Sequence, residues 1–269
     1  MQRIVILGGS FNPVHMGHLR LALEAGEALS ATRCDLVPCF APPHKQAKNL
    51  LPFELRLKAL QLAAEENSTL FVNDLEARRQ GPSYTIDTLK AYREQFPLAE
   101  LYFLLGLADF CEMRTWLAWQ ELPSLANLVA VPRNNQGQAE FLAAAEKFWP
   151  DCTKAMPSPQ KPCDPAFSKY SPLSGPRQFQ ALPPGTLSLR PNLSAPVLHA
   201  KNPTENPFAS PSGQIIFLPL PRLDISSSLL RAKFASGQSL TYLMPAKALL
   251  FLMEHKTLLQ RHWPADERP

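Results

Sequence analysis

Hydrophobic positions at the start of the chain follow two periods in turn. Arg3–Leu7 holds a short, continuous apolar run, and apolar residues then recur every three or four positions from His18 to about Leu29. A continuous run is typical of a strand that is buried on both faces of a parallel sheet, whereas the longer period is typical of an amphipathic helix. The opening segment therefore predicts one strand that leads into one helix.

This alternation continues along most of the chain. Further strands are predicted at Asp35–Pro38, Leu70–Asn73, Leu101–Leu105, Asn127–Val131 and Ile215–Leu218. Further helices are predicted around Phe53–Ala64 and at Thr85–Gln95, Trp116–Leu122, Ser227–Ser236 and Pro245–His255. Strands that alternate with helices predict an α/β fold with a doubly wound parallel sheet, in which a ligand binds outside the carboxyl ends of the strands.

The distribution of proline interrupts this pattern. Of the 28 prolines, half lie between Pro150 and Pro211. Because proline fixes φ and lacks an amide proton, we expect neither a helix nor a central strand to run through this stretch. We therefore predict a single domain over residues 1–257, interrupted by a proline-rich insertion over 135–213 and followed by a C-terminal tail over 258–269. A solvated surface excursion is the simplest interpretation of the insertion, with a partner-docking segment or a lid as alternatives.

Composition and charge exclude several classes of protein. Hydrophobic residues make up 45% of the 269 residues, enough for a core, and the net charge of +4 is too small to predict a nucleic-acid partner. No apolar run is long enough to span a membrane or to act as a signal peptide, so we expect a cytoplasmic protein without a membrane partner. Five cysteines without a CxxC pair predict neither a disulfide framework nor a zinc site. The oligomeric state stays open.

The turn after the first predicted strand carries the strongest candidate chemistry. It contains His15 and His18 at the predicted start of a helix, with Gly17 between them. One helical turn places both imidazoles on the same side, and the amides and dipole of a helix N-terminus attract anions. The turn therefore predicts a polyphosphate site, although two ordinary turn histidines would give the same short pattern.

The surrounding residues favour the polyphosphate site. The segment GGSFNPVHMGHL, residues 8–19, resembles the GG(T/S)F(D/N)PxHxGH signature of the HxGH nucleotidyltransferases. Ile225–Arg231 resembles the ISSTxxR signature of the same superfamily, with Ser228 in place of threonine. Three further segments resemble the PPHK loop, the SYTxDTL segment and the FxxG…W…R pattern of the bacterial nicotinate-nucleotide adenylyltransferases, namely Pro42–Lys45, Ser83–Leu89 and Phe103–Arg133.

The resemblance implies an enzyme that joins nicotinate mononucleotide to the adenylyl group of ATP and releases pyrophosphate, with Mg²⁺ bound mainly through the ATP phosphates and not by protein ligands. It implies catalytic roles for His15, His18, Lys45 and Arg231. It implies ATP contacts from Gly8, Gly9, Ser10, Phe11, His15, His18, Gly106, Asp109, Ile225, Ser227, Ser228 and Arg231. It implies contacts to nicotinate mononucleotide from Asn12, His44, Lys45, Thr85, Trp116 and Arg133.

The resemblance also suggests how the pyridine ring is recognised. A helix N-terminus near Thr85 would favour the carboxylate of nicotinate over the amide of nicotinamide, because its amides donate hydrogen bonds and its dipole is positive there. The indole of Trp116 would stack on the ring, with Trp119 as the alternative partner.

One position departs from the family pattern. The family carries an aspartate two residues after the glycine that aligns with Gly106, where this chain has Ala108, and Asp109 follows one residue later. Either Asp109 replaces that carboxylate or the contact to the ATP ribose is missing. Two alternatives remain: a pantetheine-phosphate adenylyltransferase or cytidylyltransferase that shares the histidine turn, and a nucleotide-binding scaffold protein without catalytic activity.

Overall fold

The computed structural model describes residues 2–42, 49–79, 81–132, 137–150, 153–155, 182–191, 213–221 and 223–264. Its strands are β1 Arg3–Gly9, β2 Arg33–Pro38, β3 Leu70–Val72, β4 Glu100–Gly106, β5 Asn127–Val131, β6 Thr153–Ala155, β7 Leu187–Arg190 and β8 Ile215–Phe217. They form one sheet in the order β3-β2-β1-β4-β5-β8-β7-β6. Strands β1 to β5 and β8 pair in parallel, whereas β7 pairs antiparallel with both of its neighbours.

Helices cover both faces of this sheet. They are α1 Met16–Ala28, α2 Phe53–Ala64, α3 Leu75–Arg79, α4 Thr85–Gln95, α5 Leu107–Cys111, α6 Leu122–Leu125, α7 Gln138–Phe148, α8 Ser227–Ala235, α9 Ala246–Glu254 and α10 Lys256–His262. Alternate residues of β1 belong to two cores: Val5 and Leu7 pack with α1, α2 and α8 to α10, and Ile4 and Ile6 pack with α4 to α7. This arrangement confirms the predicted doubly wound α/β fold.

Part of the predicted insertion over 135–213 belongs to the sheet and its cover, which corrects the predicted boundary. Helix α7 lies within it and buries Phe141, Ala145 and Phe148 at the spacing of one helical face. Strand β7 pairs with β8 and gives the sheet an antiparallel edge. Both elements fit between prolines: α7 ends before Pro150, and β7 lies between Pro184 and Pro191. The other residues of the predicted insertion lie mainly outside the described part of the chain.

Several predicted helix boundaries also change. The helix predicted from His18 begins at Met16, so that His15 is its N-cap residue. The single helix predicted over Trp116–Leu122 does not form, because Ala118 adopts a left-handed φ of 49° and a 3-10 turn then leads into α6. The predicted tail over 258–269 begins inside α10. Its buried Trp263 packs edge to face against Phe234 of α8, with ring centroids 5.5 Å apart.

Across the described ranges, none of the helices combines the length and the apolar character needed to cross a bilayer.

Candidate active site

The turn that follows β1 brings its two histidines into contact. His15 caps α1 and His18 is the third residue of that helix, and their rings stack with centroids 3.6 Å apart. The main-chain amide of His15 donates a hydrogen bond of 3.3 Å to Nδ1 of His18. Phe11 is buried, and its ring meets that of His18 edge to face at 4.9 Å between centroids. The helical spacing therefore pairs the imidazoles as the sequence predicts.

The second motif reaches this turn from the far end of the sequence. Nη1 of Arg231 donates to the carbonyl of Asn12 at 2.9 Å, and Nη2 donates to Oγ of Ser228 at 3.1 Å. Oγ of Ser227 donates to the carbonyl of Pro13 at 2.9 Å. Of the three predicted phosphate-binding residues on α8, Ser227 and Arg231 are thus hydrogen-bonded to the histidine turn, and Ser228 is hydrogen-bonded to Arg231.

Gly17 allows this close approach. A Cβ atom at this position would lie 3.1 Å from Nδ1 of His15 and 3.2 Å from the carbonyl oxygen of Ile225. The second neighbour is backbone, which cannot move aside as the end of a flexible side chain can. The predicted site residue Ile225 therefore lies directly against the start of α1.

Buried polar side chains hold the loops around the turn. Arg56 of α2 is 1% exposed, and it donates to the carbonyls of Ser10 and Cys39, each at 2.8 Å, and of Leu51 at 2.9 Å. Burial lowers the pKa of the Arg56 guanidinium. The Asn12 side chain accepts a hydrogen bond from the amide of Leu51 at 3.1 Å and donates one to the carbonyl of Asn49 at 2.6 Å. These contacts hold Arg56 and the Asn12 side chain against the neighbouring loops, and the predicted contact of Asn12 with nicotinate mononucleotide stays a prediction.

A cavity of about 610 Å³ opens at the carboxyl ends of β1 and β4, where the doubly wound fold predicts a ligand. Its lining includes seven of the predicted site residues, namely Gly8, Gly9, Ser10, Thr85, Gly106, Asp109 and Trp116. The turn after β1 therefore joins two parts of one site: this cavity, and the group formed by the paired histidines and the first turns of α8.

Trp116 faces the cavity, whereas Trp119 does not line it. Trp116 is half-buried and meets Phe103 edge to face, with ring centroids 6.5 Å apart. Trp119 packs against Phe148 and Trp149, with its ring centroid 5.6 Å from each. Of the two candidate indoles, only Trp116 lies in the described lining of the cavity, and its contact with a pyridine ring stays a prediction.

The amino end of α4 forms a wall of the cavity together with an acidic residue that the sequence reasoning missed. Glu76 of α3 lines the cavity and is only 7% exposed. One of its carboxylate oxygens accepts from Oγ1 of Thr88 at 2.7 Å, and the other accepts from the amide of Phe40 at 3.3 Å. Helix α3 has five residues, too few for a periodic pattern to identify it or the direction of Glu76.

Three predicted site residues, His44, Lys45 and Arg133, lie outside the described residues, and their contacts stay predictions. Within the described ranges, no group of three or more histidine, cysteine, aspartate and glutamate side chains is placed to hold a metal ion.

The two parts of the site differ in charge. The charged residues in the described lining of the cavity are all acidic, namely Glu76, Asp109 and Glu140. The other part contains the Arg231 guanidinium, the two imidazoles and the amino end of α8, groups that suit phosphate oxygens.

Comparisons with known proteins agree with this arrangement. Residues 6–233 match the cytidylyltransferase-like family. A protein of Pelobacter propionicus named "Probable nicotinate-nucleotide adenylyltransferase" is 31% identical over 254 residues, which cover 94% of this chain and 97% of that protein. Two relatives with the same name, from Geobacter sulfurreducens and Geobacter metallireducens, are 37% and 40% identical. Their matches cover 52% and 49% of this chain and 64% and 61% of those proteins.

A solved structure shares the fold. Nicotinic acid mononucleotide adenylyltransferase of Plasmodium falciparum, in complex with NaAD, matches with a TM-score of 0.59 and 16% sequence identity, over 96% of this chain and 98% of that chain. The family match includes both the histidine turn and the start of α8. This chain therefore belongs to the cytidylyltransferase-like family of nucleotidyltransferases and, within it, to the nicotinate-nucleotide adenylyltransferases.

Proposed function

We propose that this protein transfers the adenylyl group of ATP to nicotinate mononucleotide, which yields nicotinic acid adenine dinucleotide and pyrophosphate. One observation carries the proposal: Arg231 bonds the carbonyl of Asn12, in the same turn that presents the stacked His15 and His18 rings. This group of donors adjoins a cavity lined by Thr85 and Trp116. The nearly full-length relative of the same family supports the choice of substrates.

In the proposed reaction, an oxygen of the 5′-phosphate of nicotinate mononucleotide attacks the α-phosphorus of ATP. The bond between that phosphorus and the bridging oxygen breaks, and pyrophosphate leaves. The attacking oxygen is already an anion, so the reaction needs no general base. The barrier lies in bringing two anions together and in the charge on phosphorus, which cationic side chains and helix amides reduce. His15, His18 and Arg231 would do so, with Lys45 as the fourth group that the resemblance implies.

The β- and γ-phosphates would lie at the amino end of α8. Ser227, Ser228 and Arg231 present two hydroxyls and a guanidinium there, and the helix amides and dipole add to them. Main-chain groups of residues 8–11 would approach the phosphates from the other side. The Asn12 side chain would act by holding the 49–51 loop in place.

Nucleotidyltransferases of this kind generally use a divalent metal, and we propose Mg²⁺. The phosphate end of the site offers imidazole, hydroxyl and guanidinium groups, which suit phosphate oxygens, whereas Mg²⁺ prefers carboxylate, phosphate and water oxygens. The ATP phosphates would therefore hold the ion, whose charge would reduce the repulsion between the two substrates.

We propose that the amino end of α4 selects nicotinate over nicotinamide. Tyr84 and Thr85 at this end line the cavity, so a carboxylate there would meet the positive end of the helix. Hydrogen bonds to a charged group are worth about 1.5–3 kcal/mol, which corresponds to a preference of about ten- to a hundredfold.

We also propose that Asp109 supplies the carboxylate that Ala108 lacks. Both residues line the cavity, and Oδ2 of Asp109 lies 3.1 Å from where a Cβ atom on Gly106 would stand, so the carboxylate folds back over the end of β4. The Asp109→Ala variant is expected to raise KM for ATP about tenfold, and adding Ala108→Asp is expected to restore it. An unchanged KM for ATP in Asp109→Ala would contradict this role.

Pyrophosphate release with ATP and Mg²⁺ tests the proposed function. Nicotinate mononucleotide, nicotinamide mononucleotide and phosphopantetheine serve as parallel acceptors, and mass spectrometry identifies the product. We expect release with nicotinate mononucleotide to exceed release with the nicotinamide form by about tenfold or more. Release only with phosphopantetheine would favour the related adenylyltransferase. ATP binding without release with any acceptor would favour the scaffold protein.

A further inference from the structure

The cavity is acidic beside α4, although both proposed substrates are phosphate esters. Of its three described acidic residues, Asp109 and Glu140 are exposed, whereas Glu76 is 7% exposed. A buried carboxylate is unfavourable unless other groups compensate its charge. A positively charged group of a ligand in this cavity would compensate the charge of Glu76.

Two hydrogen bonds orient Glu76. They come from Oγ1 of Thr88 at 2.7 Å and from the amide of Phe40 at 3.3 Å. Thr88 also lines the cavity, and its hydroxyl donates to Glu76. The hydrogen-bonding group of Glu76 on this wall is therefore an acceptor. No basic side chain is present in the described lining of the cavity.

The guanidinium of Arg56 interacts electrostatically with Glu76, but Arg56 does not line the cavity. Its guanidinium donates to the main-chain carbonyls of Ser10, Cys39 and Leu51. Of these two residues, Glu76 therefore belongs to the lining of the cavity and Arg56 does not.

The proposed substrates contain one cationic group, the pyridinium ring of nicotinate mononucleotide, whose charge results from its N-glycosidic bond. Glu76 bonds Thr88, which follows Thr85 by about one turn of α4, so it lies on the same wall as the helix end proposed to receive the nicotinate carboxylate. Trp116 lines the same cavity, and an indole face also attracts a cation. We propose that Glu76 is a specificity-determining residue that recognises the positive charge of the pyridinium ring. The inference rests on the proposed function.

An uncharged analogue of the substrate tests this inference. The 3-carboxyphenyl ribonucleotide 5′-phosphate keeps the carboxylate, ribose and phosphate but replaces the ring nitrogen by carbon. Calorimetric titration of the wild type is expected to give a Kd for nicotinate mononucleotide that is at least about tenfold lower than that for the analogue. In Glu76→Gln the ratio of the two Kd values is expected to fall to about twofold or less. Any effect of Glu76 on the shared carboxylate cancels in this ratio.

The Glu76→Gln variant can keep its local contacts. Its side-chain oxygen can accept from the Phe40 amide, and its amide can donate to Oγ1 of Thr88, whose own proton can turn to the carbonyl of Tyr84, 3.4 Å away. The matched control is Glu94→Gln, an exposed change on α4 that should leave both Kd values unchanged.

A purely structural role for Glu76 predicts a different result. The Thr88→Val variant removes the hydroxyl that orients Glu76 and keeps the charge. We expect it to weaken both ligands alike and to keep the wild-type ratio. If Glu76 only held the wall in place, Glu76→Gln and Thr88→Val would each raise the Kd values of the two ligands by the same factor, and the ratio would not change.

An unchanged ratio in folded Glu76→Gln would overturn the inference. Equal binding of the two ligands by the wild type would overturn it as well, whether or not the variant folds. Dinucleotide formation by the wild type tests the proposed function separately. If the wild type binds nicotinate mononucleotide more tightly than the analogue but releases no pyrophosphate, the proposed reaction is contradicted and the role of Glu76 is still supported.

Discussion

Nη1 of Arg231 donates a hydrogen bond of 2.9 Å to the main-chain carbonyl of Asn12, across 219 residues of sequence. The contact joins the turn after the first strand to a helix that follows the last strand of the sheet. The group formed by Arg231 and the histidine turn is therefore complete only when these two segments, far apart in sequence, have packed together.

The Arg231→Lys variant is expected to lower kcat/KM for ATP by about a hundredfold or more, because one ammonium cannot bond the Asn12 carbonyl, the Ser228 hydroxyl and a phosphate in a fixed fork. Steady-state pyrophosphate release measures the change. Lys233→Ala, on the same helix with its ammonium on Gln238, is the control and should keep wild-type kinetics. Wild-type kinetics in Arg231→Lys would be inconsistent with a phosphate-binding role.

The Gly17→Ala variant is expected to reduce kcat/KM by about tenfold or more, because its methyl group would push His15 and the Ile225 carbonyl away from the start of α1. Gly26→Ala on the same helix is the control. A Cβ there would meet Sγ of Cys34 at 2.6 Å, in the core, so it should lower stability by about 1–3 kcal/mol with little effect on kcat.

Adding Cys34→Ala to Gly26→Ala should recover much of that stability, which thermal unfolding would show. Similar losses of activity in Gly17→Ala and in the Gly26 control, in proportion to stability, would contradict a local effect at the histidine turn.

The Arg56→Met variant is expected to lower the free energy of unfolding by about 3 kcal/mol or more, because several buried carbonyls would lose their donor. Urea unfolding followed by circular dichroism measures the change. Arg20→Met, at an exposed position on α1, should change stability by less than about 1 kcal/mol. Equal stability of the two variants would show that the carbonyls find other partners.

The raised pKa of the buried Tyr92 predicts that the free energy of unfolding depends on pH. Its hydroxyl donates to Oδ2 of Asp35 at 2.7 Å and accepts from Asn73 at 3.0 Å, and burial together with Asp35 raises its pKa well above the usual value. A raised pKa in the folded state means that the neutral phenol stabilises the fold fully below the unfolded pKa of about 10, and that this stability is lost as pH rises through the folded value.

At neutral pH, Tyr92→Phe is expected to be less stable than the wild type by about 1–3 kcal/mol. Between about pH 9 and pH 11, the wild type should lose stability more steeply than the variant. Tyr102, whose pKa burial also raises, is present in both proteins and contributes equally. Parallel pH profiles in urea unfolding would contradict the assignment to Tyr92.

The sequence predicts the central sheet well because buried parallel strands and their covering helices leave clear periodic signals. The predicted strand at Asn127–Val131 agrees with β5, and the helix at Thr85–Gln95 agrees with α4. Helix α7 carries the same signal in Phe141, Ala145 and Phe148, but it lies directly before the proline-rich stretch, whose composition predicts an insertion. The short α3 and α5 contain too few residues to show a period.

The motifs of the candidate site are visible in the sequence because each one is contiguous, and the roles that the resemblance implies for their residues stay predictions. The residues that support these motifs are not visible in this way. Arg56 bonds carbonyl oxygens of two connections, at Ser10 after β1 and at Cys39 and Leu51 between β2 and α2. Glu76 bonds the amide of Phe40 and the hydroxyl of Thr88 on α4. Such partners are set by tertiary packing, and side-chain type at one position does not identify them.

The contact between Trp263 and Phe234 has a practical consequence for protein engineering. Phe234 lies on the helix that carries Arg231, so Trp263, which follows α10, supports that helix by packing against it. A truncation before Trp263 should therefore disturb α8 and Arg231 before it disturbs the cavity at the ends of β1 and β4. A purification tag or fusion partner at this end is better attached beyond Trp263, through a spacer that leaves the indole in its buried position.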